Sequence, residues 1–295
     1  MVGGFKILAV CAFLRDSFSQ NEISERFADA SNTEIDEWFD QGTADDPMFQ
    51  TMNEELQVLE QRQLSRSGIS DFESDRLGWL RRMKELKRVV LWMQHDPRFG
   101  QFCYYGCWCL PDGNHGFTKG VGKPVDNVDK SCHNQYRCYH CAKKDFGEKV
   151  KHGCDPAKTK YRYKLTWDPN NKRDVWARGV ECLDSFGKSD NEDCSRAICE
   201  CDRALAYQLR EHVQEWILDN HSTWGPFNKT EQCTRQKGNG GRSGEEQCCG
   251  DYQDGVRFPY KDNNGLRGCC GRKTYDTQVL QCCADNTLKG FGHLC

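Results

Sequence analysis

The first helical pattern of the chain begins at Leu77. Apolar residues recur from there at spacings of three and four, which predicts an amphipathic helix that turns Lys84, Lys87 and Arg88 to water. This helix should end before Asp96-Pro97, because proline cannot continue a helix. The inward stripe consists of Leu86, Val89, Val90 and Met93.

Two longer helices and a hairpin are predicted further along the chain. One helix runs from an N-cap at Asp126 through Ala142. Residues 161–167 then alternate apolar and polar side chains before a turn, which predicts a small β-hairpin. A second helix extends from about Asp193 to Asp219. Its inward stripe is Ile198, Leu205, Leu209, Val213 and either Trp216 or Ile217.

The cysteine content indicates a cross-linked chain. The sequence has 295 residues and 20 cysteines, all but Cys11 beyond residue 100, which predicts an oxidising compartment and a disulfide framework. The apolar run at 7–14, followed by Ser17 and Ser19, predicts a signal peptide over residues 1–19. The cysteines and this signal predict a secreted, extracellular protein. No later stretch reaches the roughly 18 apolar residues of a membrane span, so we expect the mature protein to be soluble or matrix-bound.

An acidic, cysteine-free segment follows the predicted signal peptide. Residues 22–60 carry twelve Asp or Glu side chains against Arg26 alone. Charge runs of this kind are usually solvated, so residues 20–85 are interpreted as an acidic leader or propeptide rather than a cation-binding element. The pairs Arg81-Arg82 and Lys87-Arg88 are either processing sites or the wet face of a helix.

The composition shifts again at residues 229–295, to glycine, polar residues and paired cysteines. This segment is predicted to form a small cysteine-rich domain, in which disulfides supply much of the stability at about 2–4 kcal/mol each. Sequons at Asn220 and Asn228 predict a glycoprotein. The paired cysteines are Cys248-Cys249, Cys269-Cys270 and Cys282-Cys283, before Cys295.

Several spaced motifs occur in order within residues 86–228. They are Tyr105-Gly106-Cys107-Trp108-Cys109, Gly122-Lys123-Pro124-Val125-Asp126-Asn127-Val128-Asp129, Cys132, Cys138-Tyr139 and Cys199-Glu200-Cys201-Asp202. Together they resemble secreted phospholipase A2. The resemblance implies an α-rich, disulfide-rich fold, in which a pair of antiparallel helices accompanies a small β-hairpin. The small cysteine-rich tail domain lies outside it.

The resemblance also implies a catalytic His-Asp pair between two helix cysteines, which here are Cys132 and Cys138. Gln135 takes the place of the base, and Tyr136 that of the calcium-binding carboxylate. Glutamine has no titratable base, and a neutral phenol is a poor calcium ligand. Loss of general-base catalysis typically costs about 10²–10⁴-fold in rate, so we expect no catalytic residue here.

Two neighbours of the altered pair match the family. Tyr139 and Asp202 stand where a tyrosine and an aspartate support the family's histidine by hydrogen bonds. We interpret them as a structural pair that bonds to each other or to Gln135. His133 and His140 lie roughly 200° and 140° around the helix from Gln135, so neither is expected to replace the base.

The family's calcium loop is altered as well. Leu110-Pro111-Asp112-Gly113 replaces its glycine-rich opening, and the loop to Gly122 is several residues longer. The backbone carbonyls of Trp108 and Leu110 and the carboxylate of Asp112 are the candidate ligands. These predict weak calcium binding at most, and no other cofactor is expected.

The resemblance implies the disulfides Cys109–Cys132, Cys138–Cys201, Cys154–Cys194 and Cys182–Cys199. It makes Cys233 the candidate partner of Cys107, and it leaves Cys103 and Cys141 as a possible further pair. Ser131 and Gln208 stand where many family members have two bonded cysteines, so one bridge is expected to be lost.

The tail resembles the double-cysteine repeat of galaxin, a coral skeletal-matrix protein, and otoconins of inner-ear mineral also resemble phospholipase A2. We therefore expect a non-catalytic structural or binding protein of the extracellular, biomineral matrix, with matrix or mineral surfaces as partners. The alternatives are a calcium-dependent phospholipase A2 that hydrolyses the sn-2 ester, or a venom-type protein that acts on phospholipid membranes. A net charge of −3 without a basic stripe excludes nucleic acid.

Overall fold

A computed structural model describes residues 47–65, 68–94, 98–109, 120–150, 153–168, 174–234, 243–253 and 255–295. The predicted signal peptide and residues 20–46 of the acidic leader lie outside these ranges, as do Leu110 and Asp112. Within the described ranges, no helix combines the length and the apolar character that crossing a membrane requires.

Long helices form the body of the molecule, and three of them begin at a side-chain cap. The caps are Ser70, Asp126 and Ser189, each of which accepts a backbone N–H from the first turn. The helices are α1 (Pro47–Leu64), α2 (Asp71–Trp92), α3 (Asn127–Phe146), α4 (Asp190–His212) and the short α5 (Lys229–Gln232). Single 3-10 turns lie at Phe99–Phe102, Val175–Ala177, Val213–Glu215 and Leu218–Asn220.

Helix α4 ends before the boundary predicted at Asp219, so the sequence prediction is wrong there. Trp216 leaves the helical conformation with ψ 128°. Its indole Nε1 donates to the carbonyl of Gln101 at 2.8 Å, and the next amide, Ile217 N, donates to the Tyr105 hydroxyl at 3.2 Å. These two bonds hold the chain against the body instead of continuing the helix.

Helix α2 is buried along most of its length. Arg82 is 0% exposed and Lys87 3%, while Lys84 and Arg88 are half-buried. The prediction that Lys87 faces water is therefore wrong, because α1 packs on one side of α2 while α4 and the hairpin pack on others. The domain division predicted at residue 86 falls inside this helix.

Helices α3 and α4 are the antiparallel pair that carries the site. Residue numbers rise along α3 as they fall along α4, since Asn134 bonds to Gln208 while Cys138 bonds to Cys201. The body's disulfides are Cys107–Cys233, Cys109–Cys132, Cys138–Cys201, Cys154–Cys194 and Cys182–Cys199.

The pairing of Cys103 with Cys141 is wrong. Cys141 instead bonds to Cys248 of the tail. Cys103 keeps a buried thiol, whose Sγ lies 3.7 Å from the carbonyl oxygen of Phe99.

A two-stranded hairpin packs beside the helix pair. Strand β1 (Tyr163–Trp167) runs antiparallel to β2 (Arg178–Cys182), with Tyr163 opposite Cys182. The indole Nε1 of Trp92 donates to the carbonyl of Gly179 at 3.0 Å, which ties the end of α2 to this hairpin.

The tail is a series of three antiparallel hairpins joined by disulfides. Each cysteine doublet sends one sulfur to the preceding unit and one to the next, through Cys249–Cys269, Cys270–Cys282 and Cys283–Cys295. The strands are β3 (Glu246–Asp251), β4 (Val256–Lys261), β5 (Arg267–Cys270), β6 (Lys273–Asp276), β7 (Leu280–Cys282) and β8 (Leu288–Gly290).

The first hairpin of the tail is fixed to α3. Besides Cys141–Cys248, the carboxylate of Asp145 accepts hydrogen bonds from the Tyr252 hydroxyl and from Arg257 Nη2, both at 2.8 Å. The tail and the helix pair are therefore joined covalently and electrostatically at one surface.

Candidate active site

Gln135 stands at the position of the family's catalytic base and lies on the face of α3 that meets α4. Cystine bridges at Cys132 and Cys138 hold this turn on both sides. Gln135 is 2% exposed, and its Nε2 donates to the Tyr139 hydroxyl and to Asp202 Oδ1, both at 2.9 Å. The Oε1 atom is buried, with no hydrogen-bond partner among the described residues.

Asp202 is the centre of a buried polar cluster. It is 0% exposed, and besides Gln135 it accepts hydrogen bonds from the hydroxyls of Tyr139 and Tyr161 and from Arg82 Nη2. The Tyr161 bond is 2.7 Å long. Both carboxylate oxygens therefore accept two donors each, so Asp202 has little capacity left for a further partner.

The environment of the cluster keeps Arg82 charged and its two tyrosines neutral. Burial alone would lower the pKa of Arg82, but the adjacent Asp202 carboxylate raises it well above the usual value, so the guanidinium stays charged. Burial, together with Asp202, raises the pKa of Tyr139 and of Tyr161 well above 10.0, so both remain neutral donors. The result is a paired charge surrounded by hydroxyl and amide groups.

Tyr136 and His133 face a different neighbour, the indole of Trp108. The ring centroids of Trp108 and His133 are 4.0 Å apart, and those of Trp108 and Tyr136 are 5.2 Å apart. Burial, with a smaller effect of Arg137, lowers the pKa of His133 to about 4. The imidazole is therefore neutral at physiological pH and packs as an aromatic side chain, away from Asp202.

His140 is also directed away from the cluster. Its Nε2 lies 2.6 Å from Glu246 Oε1 in the first hairpin of the tail. The catalytic alternative requires an imidazole that bonds to Asp202. Among the described residues, the donors to Asp202 are instead Gln135, Tyr139, Tyr161 and Arg82.

The described residues do not fit the family's calcium ion. The carboxylate of Asp129 is already engaged, because it accepts the backbone N–H groups of Cys107, Trp108 and Val125 at 2.7–3.1 Å. Tyr136 offers a phenol that packs against an indole, which is a poor donor for a hard cation. No cluster of three or more His, Cys, Asp or Glu side chains suited to a metal lies within the described ranges.

Comparisons with known proteins agree with this framework. The family model for phospholipase A2 matches residues 83–217. The basic phospholipase A2 beta-bungarotoxin A1 chain of Bungarus candidus is 32% identical over 121 residues, which are 40% of this chain and 68% of that protein. This chain belongs to the phospholipase A2 family.

Two further phospholipase A2 relatives come from Bungarus multicinctus. The basic beta-bungarotoxin A5 chain is 29% identical over 137 residues, covering 46% of this chain and 78% of its own length. The acidic beta-bungarotoxin A6 chain has the same identity over the same length. The family match leaves α1, most of α2 and the tail outside it.

Two members of the cluster are absent from the sequence prediction of this phospholipase A2 site. Arg82 is interpreted there as a processing or surface residue, and Tyr161 only as part of a hairpin. A signal for Arg82 exists, because it lies four residues before Leu86 and so continues the inward stripe of α2. Nothing in the sequence identifies its partner as Asp202, since 120 residues separate the two.

The two predicted glycosylation sites differ in environment. The Nδ2 atom of Asn220 is engaged, because it donates to Asp126 Oδ2 at 2.9 Å and to the Tyr105 hydroxyl at 3.3 Å. Asn228 is exposed, and its Oδ1 caps α5 by accepting Thr230 N at 3.1 Å. Asn228 is therefore the more accessible of the two sequons.

Proposed function

We propose that this protein is a secreted, non-hydrolytic phospholipase A2 family member with a structural or binding role in extracellular matrix. The carrying observation is that Gln135, at the position of the family's base, gives its Nε2 hydrogens to Tyr139 and Asp202. An amide has no basic nitrogen at neutral pH, so it cannot take a proton from water.

The surrounding cluster supports a structural role. Asp202 is ion-paired with Arg82 and saturated by hydroxyl and amide donors. The four hydrogen bonds to Asp202 join elements that are distant in the sequence, and such buried networks fix how those elements pack. Here those elements are α2, α3, α4 and the segment that carries Tyr161.

The cross-links support an extracellular location. Nine disulfides lie within the described residues, and such bonds persist in oxidising environments. The tail supports the matrix part of the proposal, because its paired cysteines, which resemble the galaxin repeat in sequence, cross-link successive hairpins. Exposed apolar side chains occur along this array at Leu266, Val279, Phe291 and Leu294.

The non-hydrolytic part is tested by fatty-acid release from phospholipid micelles with calcium, using the full chain and its Gln135→Ala variant. We expect both proteins to stay at the background rate. Calcium-dependent release by the natural chain that Gln135→Ala abolishes would overturn the proposal.

The matrix part is tested separately by sedimentation with calcium carbonate and calcium phosphate particles at physiological salt. A chain that stays in the supernatant with both minerals would contradict mineral binding.

A second candidate function is binding to a phospholipid surface without hydrolysis. It is favoured by Ile217, Leu218 and Trp224, which are 51%, 49% and 46% exposed just beyond α4. Exposed apolar groups near a tryptophan are typical of membrane-surface contacts. Vesicle sedimentation tests it with Trp224→Ala, against Trp176→Ala as a matched control, because Trp176 is 56% exposed elsewhere on the body. A loss confined to Trp224→Ala would favour this function, whereas no sedimentation of the natural chain would exclude it.

A further inference from the structure

The helix that precedes the family-matched region is continuous with it. The match begins at Met83, but α2 begins at Asp71 and runs to Trp92 without a break. Residues on both sides of Met83 are buried, including Leu77, Leu80 and Leu86 at 2% exposure or less. One face of the first half of α2, at Leu77 and Leu80, is therefore part of the core, although it lies outside the family domain.

Helix α1 is bound to that first half of α2. Met52, Leu56 and Leu59 are buried in the same hydrophobic core. Charged pairs flank the apolar contact. They are Arg76–Glu55 at 2.7 Å, Arg81–Glu60 at 2.9 Å and Arg62–Glu73 at 2.7 Å.

Arg82 connects this helical segment to the centre of the domain. Its guanidinium, 0% exposed, bonds to Asp202 and to Tyr139, and it lies 4.5 Å over the ring of Tyr161. The other donors to Asp202 are neutral, because the base position holds an amide. Among the described residues, Arg82 is therefore the cation that lies within bonding distance of the buried Asp202 carboxylate and compensates it.

We propose that α1 and the first half of α2 are a permanent part of the folded domain, with Arg82 as the charge partner of Asp202. In consequence, the dibasic pairs Arg81-Arg82 and Lys87-Arg88 are not processing sites. A protease must bind several residues in an extended conformation, whereas both pairs lie inside a packed helix and each contains a buried side chain. Loss of the segment would remove the Arg82 guanidinium from the buried Asp202 carboxylate, and breaking a buried ion pair in this way is destabilising.

The first experiment maps the N-terminus of the full chain after secretion from eukaryotic cells, by intact mass and N-terminal sequencing. We expect a start before Pro47, so that α1 is retained. A secreted protein that begins at Met83 or at Val89 would overturn the proposal. This result is independent of whether the protein hydrolyses phospholipid.

The second experiment tests the charge pair by urea unfolding of the full chain with its disulfides intact. Arg82→Met should raise the unfolding equilibrium constant by about 10²–10³-fold, because an uncompensated buried charge remains. The matched control is the neighbouring Arg81→Met, which removes a half-exposed pair with Glu60 and should change that constant by less than about fivefold.

The third variant combines Arg82→Met with Asp202→Asn. Asp202→Asn removes the carboxylate that Arg82→Met leaves without a cation. The unfolding equilibrium constant of the double variant should therefore be at least tenfold lower than that of Arg82→Met, so the two substitutions should not be additive. Additive effects, or equal effects of Arg82→Met and Arg81→Met, would overturn the charge-pair assignment. If Arg82→Met alone fails to fold, recovery of a folded protein in the double variant supports the assignment, and failure of both counts against it.

Discussion

Glu85 should make this protein less stable as the pH rises through neutrality. Its side chain is only 22% exposed, and its Oε2 lies 3.8 Å from Arg82 Nη1. Burial raises the pKa of Glu85 from 4.5 to about 7, with Asp202 adding to the shift and Arg82, Lys160 and Arg88 opposing it. Because the folded-state pKa exceeds the unfolded value, the stability that this group contributes is fully present below about pH 4.5 and is lost as the pH rises through about 7.

The magnitude follows from the shift. A difference of about 2.5 pKa units, at roughly 1.4 kcal/mol each, gives an upper limit of about 3 kcal/mol above pH 8. Glu85→Gln removes the titrating group while keeping the shape. It should therefore raise the free energy of unfolding by up to about 3 kcal/mol at pH 8 and leave it nearly unchanged at pH 4.5.

The assay is urea unfolding of the natural chain and of Glu85→Gln at pH 4.5, 6 and 8. The control is Glu148→Gln, which alters an exposed carboxylate just beyond α3. The quantity to compare is the difference in unfolding free energy between the variant and the natural chain at each pH. A difference in unfolding free energy that stays constant with pH, or that grows as the pH falls, would show that Glu85 does not titrate in this way.

Three further predictions concern the cross-links, the glycans and calcium. Replacing both Cys141 and Cys248 by serine should lower the free energy of unfolding by about 2–4 kcal/mol, because this bridge closes a loop of 107 residues. It should also increase hydrogen exchange in β3 and β4, because the bridge fixes the tail to α3, and unchanged exchange would contradict that role. In secreted material, Asn228→Gln should remove a glycan seen by mass spectrometry and Asn220→Gln should not, because Asn220 Nδ2 is hydrogen-bonded to Asp126; a glycan lost with Asn220 would show that the site is modified before folding. Calcium at 1 mM should shift the thermal midpoint by less than about 1 °C relative to chelator, since a ligand stabilises only in proportion to its binding; a shift of several degrees would reveal a site that the described residues do not form.

The helix pair was largely predictable, because periodic apolar positions and cysteine spacings are local features. Asp126 is a strong cap in any context, and it begins α3 as expected. The end of α4 was not predictable in this way, since the apolar pattern continues past His212. Its end depends on Trp216 and Gln101, which are 115 residues apart.

The site was predictable in its substitutions but not in its contacts. The alignment of cysteines placed Gln135 and Tyr136, and chemistry alone argues against their catalysing hydrolysis. The insertion of Arg82 depends on the packing of a helix outside the family domain against α4, so no motif contains it. Cys141 was assigned wrongly for a related reason, because its partner belongs to the tail and not to the body.

The most direct test is a crystal structure of the full chain grown with calcium, refined to show the groups around Asp202. We predict that Gln135 Nε2, the guanidinium of Arg82 and both tyrosine hydroxyls contact this carboxylate, and that Tyr136 packs on Trp108. An imidazole bonded to Asp202 beside a calcium ion held by the loop would contradict this prediction.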